Sequence, residues 1–407
     1  MKDLVLVLNC GSSSIKFALF DASIAPLPRA AIWMGKVDGI TGPAATFTAE
    51  NQPAIALQLD PAKPYHDALA RIQAQLLAEL GGSLAGSQLA AVAHRVVHGG
   101  SKYFEPVLLD AVILKDLRSY IPLAPLHQPF ALDAIELLFT WRPNLPQVAC
   151  FDTGFHRTMP RVEQMFALPY SAWQRGVRRY GFHGLSYEFI SIALAERYGA
   201  SAQGKTIAAH LGSGASLCAL DQLKSVATTM GFSALDGLVM GTRCGTLDPG
   251  ALLYLMQLEH LSVDQVSHLL YHESGLLGVS GVSSDPRELF PREADNARVA
   301  DALALYVRRI VREVGALVAV LGGLDLLVFS AGIGEHNPTV RQRVCSALAY
   351  LGIELDLDAN ARNAPVISTA QSALRVAVEP TNEEWIAARA ATHWLLHVAA
   401  DPGATAT

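Results

Sequence analysis

The chain has 407 residues, 51% of them apolar and 17% charged, with 31 Lys and Arg against 37 Asp and Glu for a formal net charge of -6. This balance excludes a disordered chain and a global basic field for nucleic acid, leaving room only for a local basic pocket; the length points to roughly two or three domains. The cysteines at 10, 150, 218, 244 and 345 form no CxxC pair, so they read as reduced thiols of a cytoplasmic protein.

The first apolar run is broken at Asn9 and is too short for a signal segment. Residues 4–9 (LVLVLN), the turn CGSSS and residues 15–20 (IKFALF) closed by Asp21 predict a β-hairpin. Helical periodicity then marks 65–80, stopped by Gly81 and Gly82, a short helix over 133–140 ahead of Pro143, and 186–197 after a Gly-rich turn. A second hairpin follows: TIAAHLG (206–212), SGAS and LCALD (217–221). Setting Gly11 on Gly212 places Asn9 on His210, with the two units about half a chain apart. That spacing predicts an internally duplicated α/β protein. A long helix over 295–321 carries Arg308, Arg309 and Arg312 on its polar side and stops at Gly322 and Gly323. Residues 314–329 are the most apolar later stretch, but Asp325 and several glycines disqualify them as a membrane span. The last helix, 383–397, starts behind the N-cap residues Thr381 and Asn382, and the tail ADPGATAT from residue 400 is predicted to fray.

Four glycine-bearing turns follow strand-like runs, at 9–14, 210–216, 241–250 and 330–335. Such turns let backbone N–H groups approach a phosphate closely. No GxxxxGK[ST] occurs and AGIGEHNP is not GxGxxG, so neither the Walker loop nor the dinucleotide fingerprint applies. Each turn alone also reads as an ordinary hairpin or helix entry; four together favour a phosphate site.

Short loops put cationic or titratable groups beside Gly or Pro: AHRVVHGG (93–100), LAPLHQP (123–129), FDTGFH (151–156), RRYGFHG (178–184) and MGTRCGTLDPG (240–250). A carboxylate calls for a planar, bidentate cation, and a transferring phosphoryl group for fixed positive charge on its equatorial oxygens. Arg95, Arg243 and His183 have the required chemistry, and Asp152, ending VACFD, can orient or deprotonate an attacking group. Each of these taken singly also reads as a structural hydrogen-bonding group. His94-x3-His98 has a zinc-like spacing, but Gly99 and Gly100 follow at once and no third ligand is near. Mg²⁺ needs few protein ligands, and Asn9 at a strand end or the Glu383-Glu384 pair at a helix start can supply them. The same glutamates also suit the helix dipole on its own account.

Taken in order, NCGSSSIKF, HRVVHGG, LAPLH, FDTGFH, YGFHG, HLGSG, MGTRCGTLDPG, GVSGVSSDPR, AGIGE and TNEE, from about residue 4 to 390, resemble the acetate kinase family of short-chain carboxylate kinases. The resemblance implies the duplicated ribonuclease-H-like fold of actin, Hsp70 and sugar kinases: two α/β domains with a central cleft. Domain I would take 1–152 with 383–407, and domain II 153–382. It further implies reversible in-line phosphoryl transfer from ATP to acetate, giving acetyl phosphate and ADP, with Mg²⁺ (Mn²⁺ as the alternative ion), in a homodimer that needs no nucleic acid or membrane.

Carried over position by position, the resemblance gives Asn9 and Glu383 to the metal, Lys16 to the ATP phosphates and Arg95 to the carboxylate. Asp152 becomes the acid/base or orienting group, and His183 and Arg243 the transition-state groups. His210, Leu211, Gly212, Ser213 and Gly214 would line the phosphates. Asp285, Pro286 and Arg287, with Gly332, Ile333, Gly334, Glu335 and His336, would hold the rest of ATP. Val97, Leu126, Phe182 and Ala234 would form the acyl pocket.

The chain departs from the family's usual residues at Gln128 and Ser213 (both usually Asn), His336 (Asn), Thr246 (commonly Asp) and Ala234 (proline). Thr246 removes a negative charge near Arg243, and Ala234 predicts a roomier acyl pocket. Two other readings stand beside acetate: propionate or butyrate as acceptor, and an ATP-driven binding protein of the actin/Hsp70 type. Arg95, Asp152, His183 and Arg243 together argue against the last, which has no use for an acceptor set.

Overall fold

In a computed structural model that describes residues 1–42, 44–50 and 52–400, LVLVLN and IKFALF pair as the predicted hairpin. Strand β1 (Lys2–Cys10) runs antiparallel to β2 (Ser14–Asp21), with Asn9 opposite Lys16. Beyond residue 400, the tail predicted to fray lies outside the described residues. The chain divides into two compact units: Met1–Gly154 with the chain from Asn382 onward, and Phe155–Thr381.

The first unit adds β3 (Trp33–Asp38), β4 (Ala45–Ala49), β5 (Ile55–Leu57), β6 (Ser87–Val96), β7 (Val107–Leu108) and β8 (Gln147–Phe151), in the order β5-β4-β3-β2-β1-β6-β8-β7. Strands β1, β6 and β8 are mutually parallel neighbours. Leu4, Leu6 and Leu8 of β1 join Leu69, Ile72 and Leu76 of helix Pro64–Gly81, and Leu138 of helix Gln128–Trp141, in one core. Alternation turns Val5 and Val7 to the opposite face. Helix Glu383–Ala400 packs on β1 and β6 with Ala387, Ala388 and Ala391 fully buried. With both faces of β1 covered, the run reads as continuously apolar instead of alternating. Helix Gln128–Trp141 starts five residues before the predicted onset at 133. Pro129 sits in its first turn, where a missing N–H costs nothing, so a proline that looks like a loop signal opens the helix.

The second unit holds β9 (Lys205–Leu211), β10 (Ala215–Asp221), β11 (Lys224–Thr228), β12 (Leu326–Ser330) and β13 (Arg375–Val378), in the order β11-β10-β9-β12-β13. An antiparallel β11-β10-β9 set followed by parallel β12 and β13 repeats β3-β2-β1-β6-β8 strand for strand. The predicted duplication is therefore real, and β1 answers to β9. The two turns differ by one residue: Cys10 pairs with Ile15, whereas Leu211 pairs with Ala215. The long predicted helix runs Ala297–Leu321, capped by the Asn296 side chain on Val299 N and ended by Gly322 at φ 68°. No described helix is long and apolar enough to cross a membrane.

Candidate active site

Parallel strands present their carboxyl ends on one edge of the sheet, the usual place for ligands in such folds. In the first unit this edge brings together Asn9 at the end of β1, Arg95 at the end of β6 and Asp152 just past β8. Arg95 donates from Nε and Nη2 to the two Asp152 carboxylate oxygens, at 2.8 and 2.5 Å, and from Nη1 to Asn9 Oδ1 at 3.2 Å. Glu383, the first residue of its helix, places Oε2 3.6 Å from Arg95 Nε. Burial works against the guanidinium charge, but Asp152 and then Glu383 outweigh it and hold Arg95 protonated above its ordinary range. Glu384 is pushed up by burial and by Glu383 beside it. The helix start is set by Asn382, whose Oδ1 accepts from Trp385 N at 2.9 Å.

Two side chains with no bracing role legible in the sequence, Tyr65 and Gln128, hold this edge in place. Tyr65 donates its hydroxyl to Gly11 O at 2.7 Å, tying helix Pro64–Gly81 to the β1–β2 turn. Gln128, fully buried, accepts from His98 N at 3.0 Å and donates to His98 O at 2.9 Å. Its amide thus pairs with the backbone next to Val97 as a strand neighbour would, and links that segment to the turn carrying Leu126. Gly99 and Gly154 are required here: a Cβ would meet Tyr103 O at 2.0 Å and Phe104 O at 2.2 Å. His94 sits on β6 and meets Gln147 Oε1 at 2.8 Å, while His98 Nδ1 accepts from Gly100 N at 2.9 Å. Burial pushes both imidazoles down to about 4, so both are neutral, and their bonded ring nitrogens serve Gln147 and the Gly100 backbone.

In the second unit, His183 caps helix Gly184–Tyr198 with φ 59° and stacks on His210 at the end of β9, ring centroids 4.1 Å apart. A Cβ on Gly214 would lie 3.4 Å from His183 Nε2 and 3.5 Å from Arg243 Nη1. The β9–β10 turn, His183 and Arg243 therefore converge. Arg243 Nη1 donates to Ala234 O at 3.2 Å, and Phe182 O meets His156 Nε2 at 2.9 Å. Thr246 does not face Arg243: its hydroxyl donates to Asp236 Oδ1 at 2.9 Å, and its Oγ1 accepts from Gly237 N at 3.1 Å. An aspartate there would set a second carboxylate against Asp236.

Beside the same turn lies a pocket of about 290 Å³ that collects three of the predicted segments: Gly212 and Ser213, Asp285 to Arg287, and Gly332, Ile333 and His336. A Cβ on Gly332 would meet nothing within 4 Å, so this wall is open. Asp285 caps its short helix by accepting from Arg287 N at 2.9 Å, and the Arg287 side chain draws its carboxyl below the usual range. Not every predicted residue faces the pocket. The Leu211 side chain is fully buried in β9, and Glu335 accepts from Thr381 N at 3.2 Å. The loop is instead braced by Arg341, fully buried, which donates to Gly334 O and Glu335 O at 2.8 Å each and to Asn360 and Asn363. Nothing in its local sequence signals that role.

The sequence profile of the Acetokinase family matches residues 4–389. The chain is 47% identical over 392 residues to an acetate kinase of Rhodopseudomonas palustris, covering 96% of this chain and 98% of the relative. It is 46% identical over 400 residues to an acetate kinase of Methylocella silvestris, covering 96% and 97%. Among solved structures, it is similar to Porphyromonas gingivalis acetate kinase, with TM-score 0.84 and 36% identity over 97% of this chain and 100% of that one. It is also similar to a propionate kinase from Francisella tularensis, with TM-score 0.87 and 34% identity over 95% and 98%.

Proposed function

The chain belongs to the acetokinase family and is an ATP:carboxylate phosphotransferase, and from that premise we propose how its own residues move a phosphoryl group from ATP to acetate. The observation that carries the reading is the Arg95 fork. A guanidinium has five N–H donors; Nε and Nη2 serve Asp152, and one Nη1 donor serves Asn9. One N–H on Nη1 and one on Nη2 are not used by these bonds, and they are assigned to gripping a substrate carboxylate. Val97 and Leu126, held by Gln128, with Phe182 and Ala234, are assigned to the acyl chain.

A carboxylate is already ionised at neutral pH and needs no base to attack phosphorus. Asp152 is therefore assigned to orienting Arg95, the second of the two roles open to it. His183 and Arg243 donate to the phosphoryl oxygens as charge develops on them. The β9–β10 turn, with Lys16, is assigned to the phosphates, and the pocket lined by Asp285, Arg287, Gly332 and Ile333 to the nucleoside. In this division 1–152 with 383–407 serve mainly acceptor and metal, and 153–382 mainly the nucleotide, with Lys16 of the first and Phe182 and Ala234 of the second as the exceptions. Asn9 and Glu383 offer hard oxygens of the kind Mg²⁺ or Mn²⁺ takes, and the crowding of Glu383 against Glu384 is what a divalent cation relieves. The ion, when bound, neutralises phosphate charge.

Helix Pro249–Leu258 buries none of its residues although its sequence is PGALLYLMQL, and Leu253, Tyr254 and Leu258 are 57%, 58% and 61% exposed. An apolar face of this kind marks a protein contact, and we assign it to the homodimer. The five cysteines are all free thiols, which supports a cytoplasmic setting.

The reading is tested by incubating the enzyme with Mg²⁺ and ATP, with and without acetate, and trapping product with hydroxylamine. Acetohydroxamate that depends on acetate supports it. ADP release at the same rate without any carboxylate, and no hydroxamate, would overturn it in favour of an ATP-driven binding protein.

A further inference from the structure

The stacked rings of His183 and His210 lie 15° from parallel, and each Nδ1 meets a fully buried serine hydroxyl. His183 Nδ1 is 2.9 Å from Ser216 Oγ, and His210 Nδ1 is 2.8 Å from Ser186 Oγ. Ser216 Oγ is in turn 2.6 Å from the hydroxyl of Tyr187, another fully buried residue. The opposite edges of both rings face the glycine turn. A Cβ on Gly214 would lie 3.4 Å from His183 Nε2, and one on Gly212 would lie 3.7 Å from His210 Nε2. His183 is aimed there from a left-handed backbone, φ 59°, a conformation that a residue with a Cβ adopts only under constraint.

We propose that Ser216 and Ser186 are positioning residues that fix the tautomers of this imidazole pair, so that both rings carry their proton on Nε2. Which nitrogen of a neutral imidazole holds the proton is set by the bond the other nitrogen makes. Tyr187 donates to Ser216 Oγ; Ser216 donates its own proton to His183 Nδ1; Ser186 donates to His210 Nδ1. Each ring then offers an Nε2–H to the turn. The opposite tautomer would present lone pairs to phosphate oxygens and repel them. Two imidazolium rings would also donate there, but at this separation their charges repel. The serine bonds give two donors without two charges. The inference rests on the phosphotransferase reading of this site, and it assigns roles to Ser216, Ser186 and Tyr187 that the family match does not carry.

The experiment uses the full-length enzyme labelled with ¹⁵N-histidine, resonances assigned by loss in His183→Gln and His210→Gln, together with steady-state kinetics of Ser216→Ala, Ser216→Thr and Ser186→Ala. Wild type should show Nε2–H, Nδ1-bare signatures for both rings. Ser216→Ala should shift His183 towards mixed tautomers and lower kcat by on the order of 10–100-fold, the size known for partners that orient a metal-bound imidazole, with KM for ATP changed little. Ser216→Thr, which keeps the hydroxyl, should restore both. A wild-type His183 protonated on Nδ1 overturns the proposal even where a serine variant fails to fold. So does a Ser216→Ala enzyme with native tautomers and native kcat. Full activity in His183→Gln would instead sink the transition-state role of His183, independently of the tautomer result.

Discussion

Arg95 and Asp152 meet side by side, Nε to Oδ1 at 2.8 Å and Nη2 to Oδ2 at 2.5 Å, from the ends of neighbouring parallel strands. The geometry leaves Asp152 little freedom to exchange a proton and makes it the brace of Arg95, the arginine proposed to bind the acceptor. Asp152→Asn should therefore raise KM for acetate and lower kcat/KM by about 10²–10³, the size of a lost preorganised donor, while ATP affinity by calorimetry stays near wild type. Because Arg95 would lose its nearer carboxylate and keep only Glu383 as an ion-pair partner, thermal stability should fall as well. A variant with native acetate KM and native melting would contradict the brace.

Gln128 bridges both backbone groups of His98. Gln128→Ala should remove the side-chain partner of both His98 backbone groups and lower stability by on the order of 1–3 kcal/mol. It should also loosen Val97 against Leu126, raising KM for acetate more than KM for ATP. Gln128→Asn, one methylene short, should behave in the same direction. Equal effects on the two substrates would mean that Gln128 serves the fold alone.

Ala234 meets Arg243 through its carbonyl, at 3.2 Å, so Ala234→Pro can narrow the proposed acyl pocket without removing that bond. Wild type should use propionate measurably, since one buried methylene is worth about 0.8 kcal/mol and seldom discriminates by more than about 10–200-fold. The proline variant should shift kcat/KM towards acetate. An unchanged propionate-to-acetate ratio would show that another residue sets chain length.

His94 and His98 are held neutral by burial, their pKa values pushed down to about 4 from an ordinary 6.5. The unfolded chain thus binds more protons than the folded one between those values. Stability is fully present above pH 6.5 and falls as pH drops towards 4, by roughly 3 kcal/mol per histidine once both states are protonated. Melting temperature should decline across that window, and His94→Gln should flatten the slope. An identical slope in the variant would remove His94 from the account.

The proposed dimer should give way to monomer in analytical ultracentrifugation when Leu253→Asp and Leu258→Asp are combined, because two charges cannot enter an apolar contact without pairing. A dimer that survives both changes would move the interface elsewhere.

The paired hairpins, the glycine turns and the order of the motifs are legible in the sequence because each depends on neighbours within a few residues. Alternation and turn chemistry make LVLVLN-CGSSS-IKFALF and its counterpart at His210 visible without any knowledge of packing. Pro129 shows where local reading fails, since the residue that resembles a helix breaker opens the helix bearing Gln128. Other relationships have no local signal at all: Arg95 against Asp152, Gln128 on the His98 backbone, His183 stacked on His210 with their serines, and Arg341 under the Gly334 loop. These partners lie on different elements, and only strand order, register and side-chain packing bring them within hydrogen-bonding distance. Sequence chemistry names the groups able to handle a carboxylate and a phosphate; which of them act on substrate, and which brace the others, is decided by the three-dimensional pairing of buried charges and amides that cannot remain unpartnered away from water.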